Sequence, residues 1–238
     1  MTSHEPAQEE TPCIPLHRED TRERDACALI CAVRKGGQAT HGNVKRTIEA
    51  LARMGHRTGF VDGEGDGVGI MTDIPRQLWA KTLALKGMRS SMATDANFWV
   101  AHVMIPVSQR GNVPGVVDAI SQAMRETGLE VLIERPGKTD RRVLGRSAEQ
   151  NEPAFWQFAG LNGRMTLDKL EAALYRLQAQ LERDLQVHFP SFSSRSVVYK
   201  VQGTVEILRR YYPELRDPEY ASTVTLGHAR YSTNTNPI

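Results

Sequence analysis

The run FWVAHVMI, residues 98–105, carries no lysine, arginine or carboxylate over eight positions. That length suits a buried strand and is short for a buried helix. A helix-patterned stretch near 114–127 follows, then a second strand-like run, LEVLIE, at 129–134. Strands able to pair antiparallel on either side of an amphipathic helix imply an α+β fold, with helices covering sheets.

The rest of the chain keeps this alternation. ACALICAV, 26–33, is a short apolar run bounded by Asp25 and Arg34 and reads as a strand. THGNVKRTIEALARMGHR places Val44, Ile48 and Leu51 on one helical face, with Thr40 as the cap and Gly55 as the stop. IPRQLWAKTLALKG restarts a helix and tolerates Pro75 in its first turn. Leu167, Leu170, Leu174, Leu177 and Leu181 mark the cleanest helix, and all five suit a core. SVVYKV, a helix near 204–211 and STVTLGHARYS complete the series. The polar stretch PGKTDRRVLGRSAEQNEPA reads as a surface excursion. No internal repeat or linker divides the chain, so one domain is expected.

Charge and cysteine usage narrow the function classes. The net charge is +2 with both signs well mixed, which argues against a nucleic-acid surface. Three cysteines, at 13, 27 and 31, provide neither a disulfide framework nor a paired metal motif. A reduced, cytoplasmic setting is the simpler expectation. No run is long enough to span a membrane. Glu9, Glu10, Glu19 and Asp20 interrupt residues 1–26, which read as a polar leader rather than a signal peptide.

DGEGDGVGI, 62–70, invites two motif readings. A dinucleotide fingerprint fails, because its third glycine would fall on Val68, Ile70 or Thr72. A calcium loop fits better through Asp62, Glu64, Asp66, Gly67 and Asp73. Yet Gly69 stands at the apolar position, and Asp73 is shorter than the preferred glutamate. The favoured reading is that the glycines let backbone turn beside something that approaches closely.

Four blocks then occur in order: RDAC at 24–27, MGHRTGFVDGEGDGVGI at 54–70, SFSSRSVVYK at 191–200 and HARYSTNT at 228–235. Together they resemble the amino-terminal glutamine amidotransferase domain of the glutamate synthase large chain, of the class II, N-terminal-nucleophile type. The resemblance runs from about residue 22 onward and is loose in the middle. It implies a four-layer α-β-β-α sandwich, in which 27–238 form the N-terminal part of the domain. It also implies cleavage between Ala26 and Cys27, so that Cys27 becomes the first residue and the nucleophile. A thiol titrates near about 8.5 and a free α-amine near about 8, so the liberated amine can accept the sulfur's proton at neutral pH. The thiolate then attacks the side-chain amide of L-glutamine, ammonia leaves, and water hydrolyses the thioester.

By the same resemblance Arg230 holds the α-carboxylate of glutamine, a contact a guanidinium makes with two parallel hydrogen bonds. Thr233 adds hydroxyl contacts, while Asn234 and Tyr231 shape the pocket wall. Arg57 and the 62–69 loop form a wall near the nucleophile. His228 is expected as a packed histidine, Ser194 and Arg195 as structural residues, and Lys200 as a further contact. Cys13 and Cys31 are expected as small buried hydrophobes. Ala28 stands where glycine usually follows the nucleophile, which adds a methyl beside it. The family's Asn-Gly oxyanion pair and the acidic residue for the substrate's amine are expected further along than Ile238. No metal and no cofactor are expected in this chain; FMN and iron–sulfur chemistry belong to the synthase domain or subunit expected as its partner. The alternatives are a catalytically incomplete module that binds such a partner or senses glutamine, and a calcium-binding domain.

Overall fold

A computed structural model describes residues 27–229 apart from 58, 62, 63 and 164. In chain order these fold as β1 (Ala28–Val33), α1 (His41–Arg53), β2 (Phe60–Val61), β3 (Glu64–Gly65), β4 (Val68–Asp73) and α2 (Arg76–Leu85). Then come β5 (Phe98–Ile105), α3 (Val113–Glu126), β6 (Leu129–Pro136), α4 (Arg146–Gln150), β7 (Ala154–Asn162), α5 (Leu167–Leu185) and β8 (His188–Ser193). The chain continues as β9 (Ser196–Val201), α6 (Val205–Tyr211) and β10 (Val224–Ala229).

Two four-stranded antiparallel sheets carry the fold, ordered β1-β10-β4-β9 and β6-β7-β5-β8. Sheets and helices together are consistent with an N-terminal-nucleophile hydrolase sandwich. The second sheet is built by one continuous β5-α3-β6-β7-α5-β8 segment, the split β-α-β arrangement. Its α3 and α5 cover one face through Val116, Ile120, Met124, Leu170, Leu174 and Leu181. Leu167, in the first turn of α5, is instead 47% exposed.

β7 and β8 were not legible in the sequence. Gly160 interrupts β7, where a Cβ would stand 1.8 Å from the Glu130 carbonyl oxygen and 2.6 Å from Trp99. β8 contains Pro190, which a strand accepts at a sheet edge, and β8 is an edge. The polar stretch after β6 is not wholly irregular, since it contains α4 and a 3-10 turn at Arg141–Val143.

In the first sheet, alternation gives each strand two faces. Ala28 and Ile30 of β1 share a face with Gly227, Ile70 and Tyr199, and α1 packs over its β1–β10 side. Gly227 makes this a close approach: a Cβ there would crowd the side chains of Ile30 at 3.1 Å and Leu51 of α1 at 3.2 Å. Thr40 Oγ1 accepts the Asn43 amide hydrogen and caps α1, as its sequence predicts.

On the other face, Leu29 is 62% exposed, Val33 64% and Met71 37%. Among the described residues no element covers them. Cys31 lies on this face and is exposed, which corrects the expectation of a buried strand cysteine. Hydrophobic patterning marks a strand but not which of its faces is covered.

The sheets meet at β9. Glu214, 6% exposed, accepts hydrogen bonds from Arg135 at 2.6 Å, Gln157 at 2.9 Å and the Tyr199 hydroxyl at 2.8 Å. The Arg135 guanidinium also lies 4.9 Å from the centre of the Trp79 ring. His102 is fully buried beside them, with Nδ1 2.9 Å from the Val198 carbonyl oxygen. Burial pushes its pKa down to about 4, outweighing that hydrogen bond and the charge of Glu214.

A pH dependence follows. The folded imidazole stays neutral while the unfolded one protonates near about 6.5, so stability is present above pH 6.5 and is lost as pH falls toward 4. The loss should reach about 3 kcal/mol by pH 4. Urea unfolding at pH 7 and 4.5 measures it, and His102→Gln should flatten the difference.

Candidate active site

Cys27 is exposed at the head of β1, one residue before the ladder begins. The register pairs Ala28 with Ala229, and Ala229 with Val68. Val68 in turn pairs with Val201. One end of the first sheet therefore gathers Cys27, the Gly65–Gly67 segment and the turn after β9. α1 runs back along β1 for about 20 Å, which brings Arg57, three residues past its C-cap Met54, to the same end.

Arg230, Tyr231, Thr233 and Asn234 lie outside the described residues, as does the leader.

Ala28, the departure from the expected glycine, is 1% exposed within the α1-facing core. Its methyl is on the opposite face from Leu29, so it fills the core rather than the side that Cys27 faces. Lys200 stands on β9, three strands and about 14 Å from β1. Burial lowers its pKa, and the charge of Glu182 partly offsets this. Ser194 and Arg195 are structural: Glu171 accepts from the Ser194 amide at 2.8 Å, and the Arg195 amide donates to Ser193 at 3.0 Å.

The glycine-rich loop does what a close approach demands. A Cβ on Gly65 would stand 2.4 Å from the Gly203 carbonyl carbon and 2.5 Å from the Thr204 nitrogen. Gly203 has φ +138, and its own Cβ would meet Ile207 at 2.3 Å. Glycine thus faces glycine across two backbones at the Cys27 end of the sheet. Gly203 was missed in the sequence; its signal was a glycine between a strand and a helix. Gly65→Ala should cost about 1–3 kcal/mol, because neither neighbour can yield by turning a side chain. The urea midpoint reads this, and an unchanged midpoint would show that the loop relaxes freely.

Two carboxylates of the calcium reading are committed elsewhere. Glu64 accepts from the Ser147 amide at 3.1 Å and the Ala148 amide at 3.4 Å, capping α4. Asp73 accepts from the Thr223 amide at 2.6 Å and its hydroxyl at 2.5 Å. Asp62 lies outside the described residues. Among those described, no cluster of three or more His, Cys, Asp or Glu could hold a metal. No described helix is long and apolar enough to cross a membrane.

The family model described as glutamine amidotransferases class-II matches residues 27–238. Similar proteins include ferredoxin-dependent glutamate synthase 2 of Synechocystis sp., 32% identical over 90% of this chain and 14% of that protein. The chloroplastic ferredoxin-dependent glutamate synthase 2 of Arabidopsis thaliana is 30% identical over 95% of this chain and 14% of its own length. The large chain of the NADPH glutamate synthase of Azospirillum brasilense is 27% identical over 90% and 15%. The chain thus spans about a seventh of the length of the relatives it matches.

Proposed function

Because this chain belongs to the class II glutamine amidotransferases and is homologous to glutamate synthase, we propose that it takes ammonia from L-glutamine for glutamate synthesis, with Cys27 as nucleophile. The observation that carries this reading is the placement of Cys27. It is exposed at the head of an edge strand, one residue outside the ladder, where chain cleavage could free its amine without removing a sheet hydrogen bond.

In this reaction the α-amine of Cys27 accepts the thiol proton. The sulfur attacks the amide carbon of glutamine, and the nitrogen departs as ammonia. Water then cleaves the γ-glutamyl thioester and restores the thiol. Arg230 holds the substrate's carboxylate and Thr233 its neighbouring polar atoms, with Tyr231 and Asn234 as walls. Ammonia passes to a synthase domain or subunit, and we assign FMN and iron–sulfur chemistry to that partner rather than to this chain. Two free, exposed cysteines support a cytoplasmic setting.

Intact mass tests the first step. A mature chain should lack residues 1–26 and begin at Cys27; one that keeps any residue ahead of the sulfur ends the mechanism. A second reading, a non-catalytic module docked to a synthase, draws on the uncovered face with Leu29 and Val33. It requires a full-length mature chain and no ammonia release from glutamine.

A further inference from the structure

The α4 helix opens on a residue that cannot cap it. Its N-cap, Gly145, has the extended backbone of a capping residue (φ −72, ψ 168) but no side chain to accept the first amide hydrogens. Glu64 supplies the acceptor from another part of the chain. One carboxylate oxygen accepts from the Ser147 amide at 3.1 Å and the other from the Ala148 amide at 3.4 Å. The two positions are matched, since a Cβ on Gly145 would stand 2.2 Å from the Glu64 carboxyl carbon. Glycine at 145 makes room for a carboxylate that arrives from elsewhere.

The α4 side of this tie is anchored. The Asp140 amide, ahead of α4, donates to the Tyr211 carbonyl at 2.8 Å. The Tyr211 hydroxyl donates to Glu152, behind α4, at 2.9 Å. Arg141 meets Glu149 at 3.3 Å and Glu152 at 3.5 Å. The excursion is thus fastened to α6 on both sides of its short helix.

The other side of the tie leads to the Cys27 end of the first sheet. Glu64 and Gly65 form β3, buried Asp66 and Gly67 follow, and β4 begins at Val68. The Asp66 amide donates to the Gly59 carbonyl at 3.1 Å. β1 and β4 are both antiparallel to β10, so they run the same way, with Ala28 and Val68 matched through Ala229. Cys27 and Gly67 each stand one residue ahead of the ladder, two strands apart, a gap of about 10 Å. Resting on Cys27 as the nucleophile, we propose that Glu64 is a positioning residue for glutamine. By capping α4 from outside, it pins the 64–67 backbone across that gap from Cys27 and fixes one wall of the space the substrate enters.

Capping and positioning can be separated. The nearest atoms a Cβ on Gly145 would meet all belong to the Glu64 carboxylate. Glu64→Ala therefore opens room for Gly145→Asp, which gives α4 a cap of its own. The double variant keeps the helix and cuts the tie. In the full chain, Glu64→Ala should lower the urea midpoint, and adding Gly145→Asp should restore most of it. The KM for glutamine should nevertheless rise about tenfold in both variants, with a much smaller change in kcat. Glu64→Gln, which keeps one acceptor oxygen, should fall between wild type and Glu64→Ala. A double variant with the wild-type KM would overturn the proposal, because Glu64 would then serve α4 alone. Should Glu64→Ala fail to fold, the double variant carries the comparison. Hydrogen exchange adds a readout that needs no turnover. The Asp66 amide should exchange about tenfold faster in the double variant than in wild type, and unchanged protection overturns the proposal. Glutaminase surviving Cys27→Ala would end the functional reading and leave the exchange result standing.

Discussion

Ammonia release from glutamine should fall to background in Cys27→Ala, a loss on the order of 10^5- to 10^6-fold as for other hydrolases stripped of their nucleophile. The α-amine survives this substitution, but no sulfur remains for it to deprotonate and no thioester can form. Cys27→Ser should be slower than wild type but lose less than Cys27→Ala, because an α-amine can still activate a hydroxyl, which is harder to deprotonate than a thiol. The fold should persist, since Cys27 is exposed and outside the ladder, and surface changes of this kind shift stability by about 0.5 kcal/mol or less. A glutaminase assay with a circular dichroism control makes the measurement. Equal rates for wild type and Cys27→Ala would remove the enzyme from consideration.

Glu214→Ala should destabilise the chain by about 3–5 kcal/mol, the usual consequence of removing one partner from a buried ion pair. The carboxylate leaves three donors behind: Arg135, Gln157 and the Tyr199 hydroxyl. They come from β6, β7 and β9, so both sheets lose their common acceptor. In a chain of this size the melting temperature should drop by about 10 °C. Removing both partners, with Glu214→Met and Arg135→Leu, should recover most of the loss, because the remaining charge rather than the missing attraction carries the penalty. Calorimetry on the three proteins decides, and a Glu214→Ala chain as stable as wild type would show that water reaches this site.

Most of the element order could be read from apolar spacing. Thr40, Val44, Ile48 and Leu51 announced α1, and the α5 leucines announced their helix. The second sheet was only half visible, because Gly160 and Pro190 weaken β7 and β8 for reasons that exist only once neighbouring strands are present. Site legibility divided the same way. Cys27 was singled out from its local words. The exposure of Cys31 and the face of Ala28 depend on which side of β1 α1 covers. The capping role of Glu64 depends on α4, about eighty residues away, and the Glu214 cluster on four separate segments. Such contacts leave no local trace in the chain.

The β5–β8 segment begins and ends in one place. Val100 pairs with Ser193, so the chain enters this unit and leaves it on adjacent strands about 5 Å apart. A block with neighbouring ends can be transplanted, trimmed or replaced by a short bridge without rerouting the polypeptide on either side. The obstacle to such an excision is chemical rather than topological. Tyr199 and Glu214 would stay with the remainder of the chain and lose Gln157, Arg135 and His102 to the excised piece, so a surgeon of this fold would have to neutralise that cut surface first.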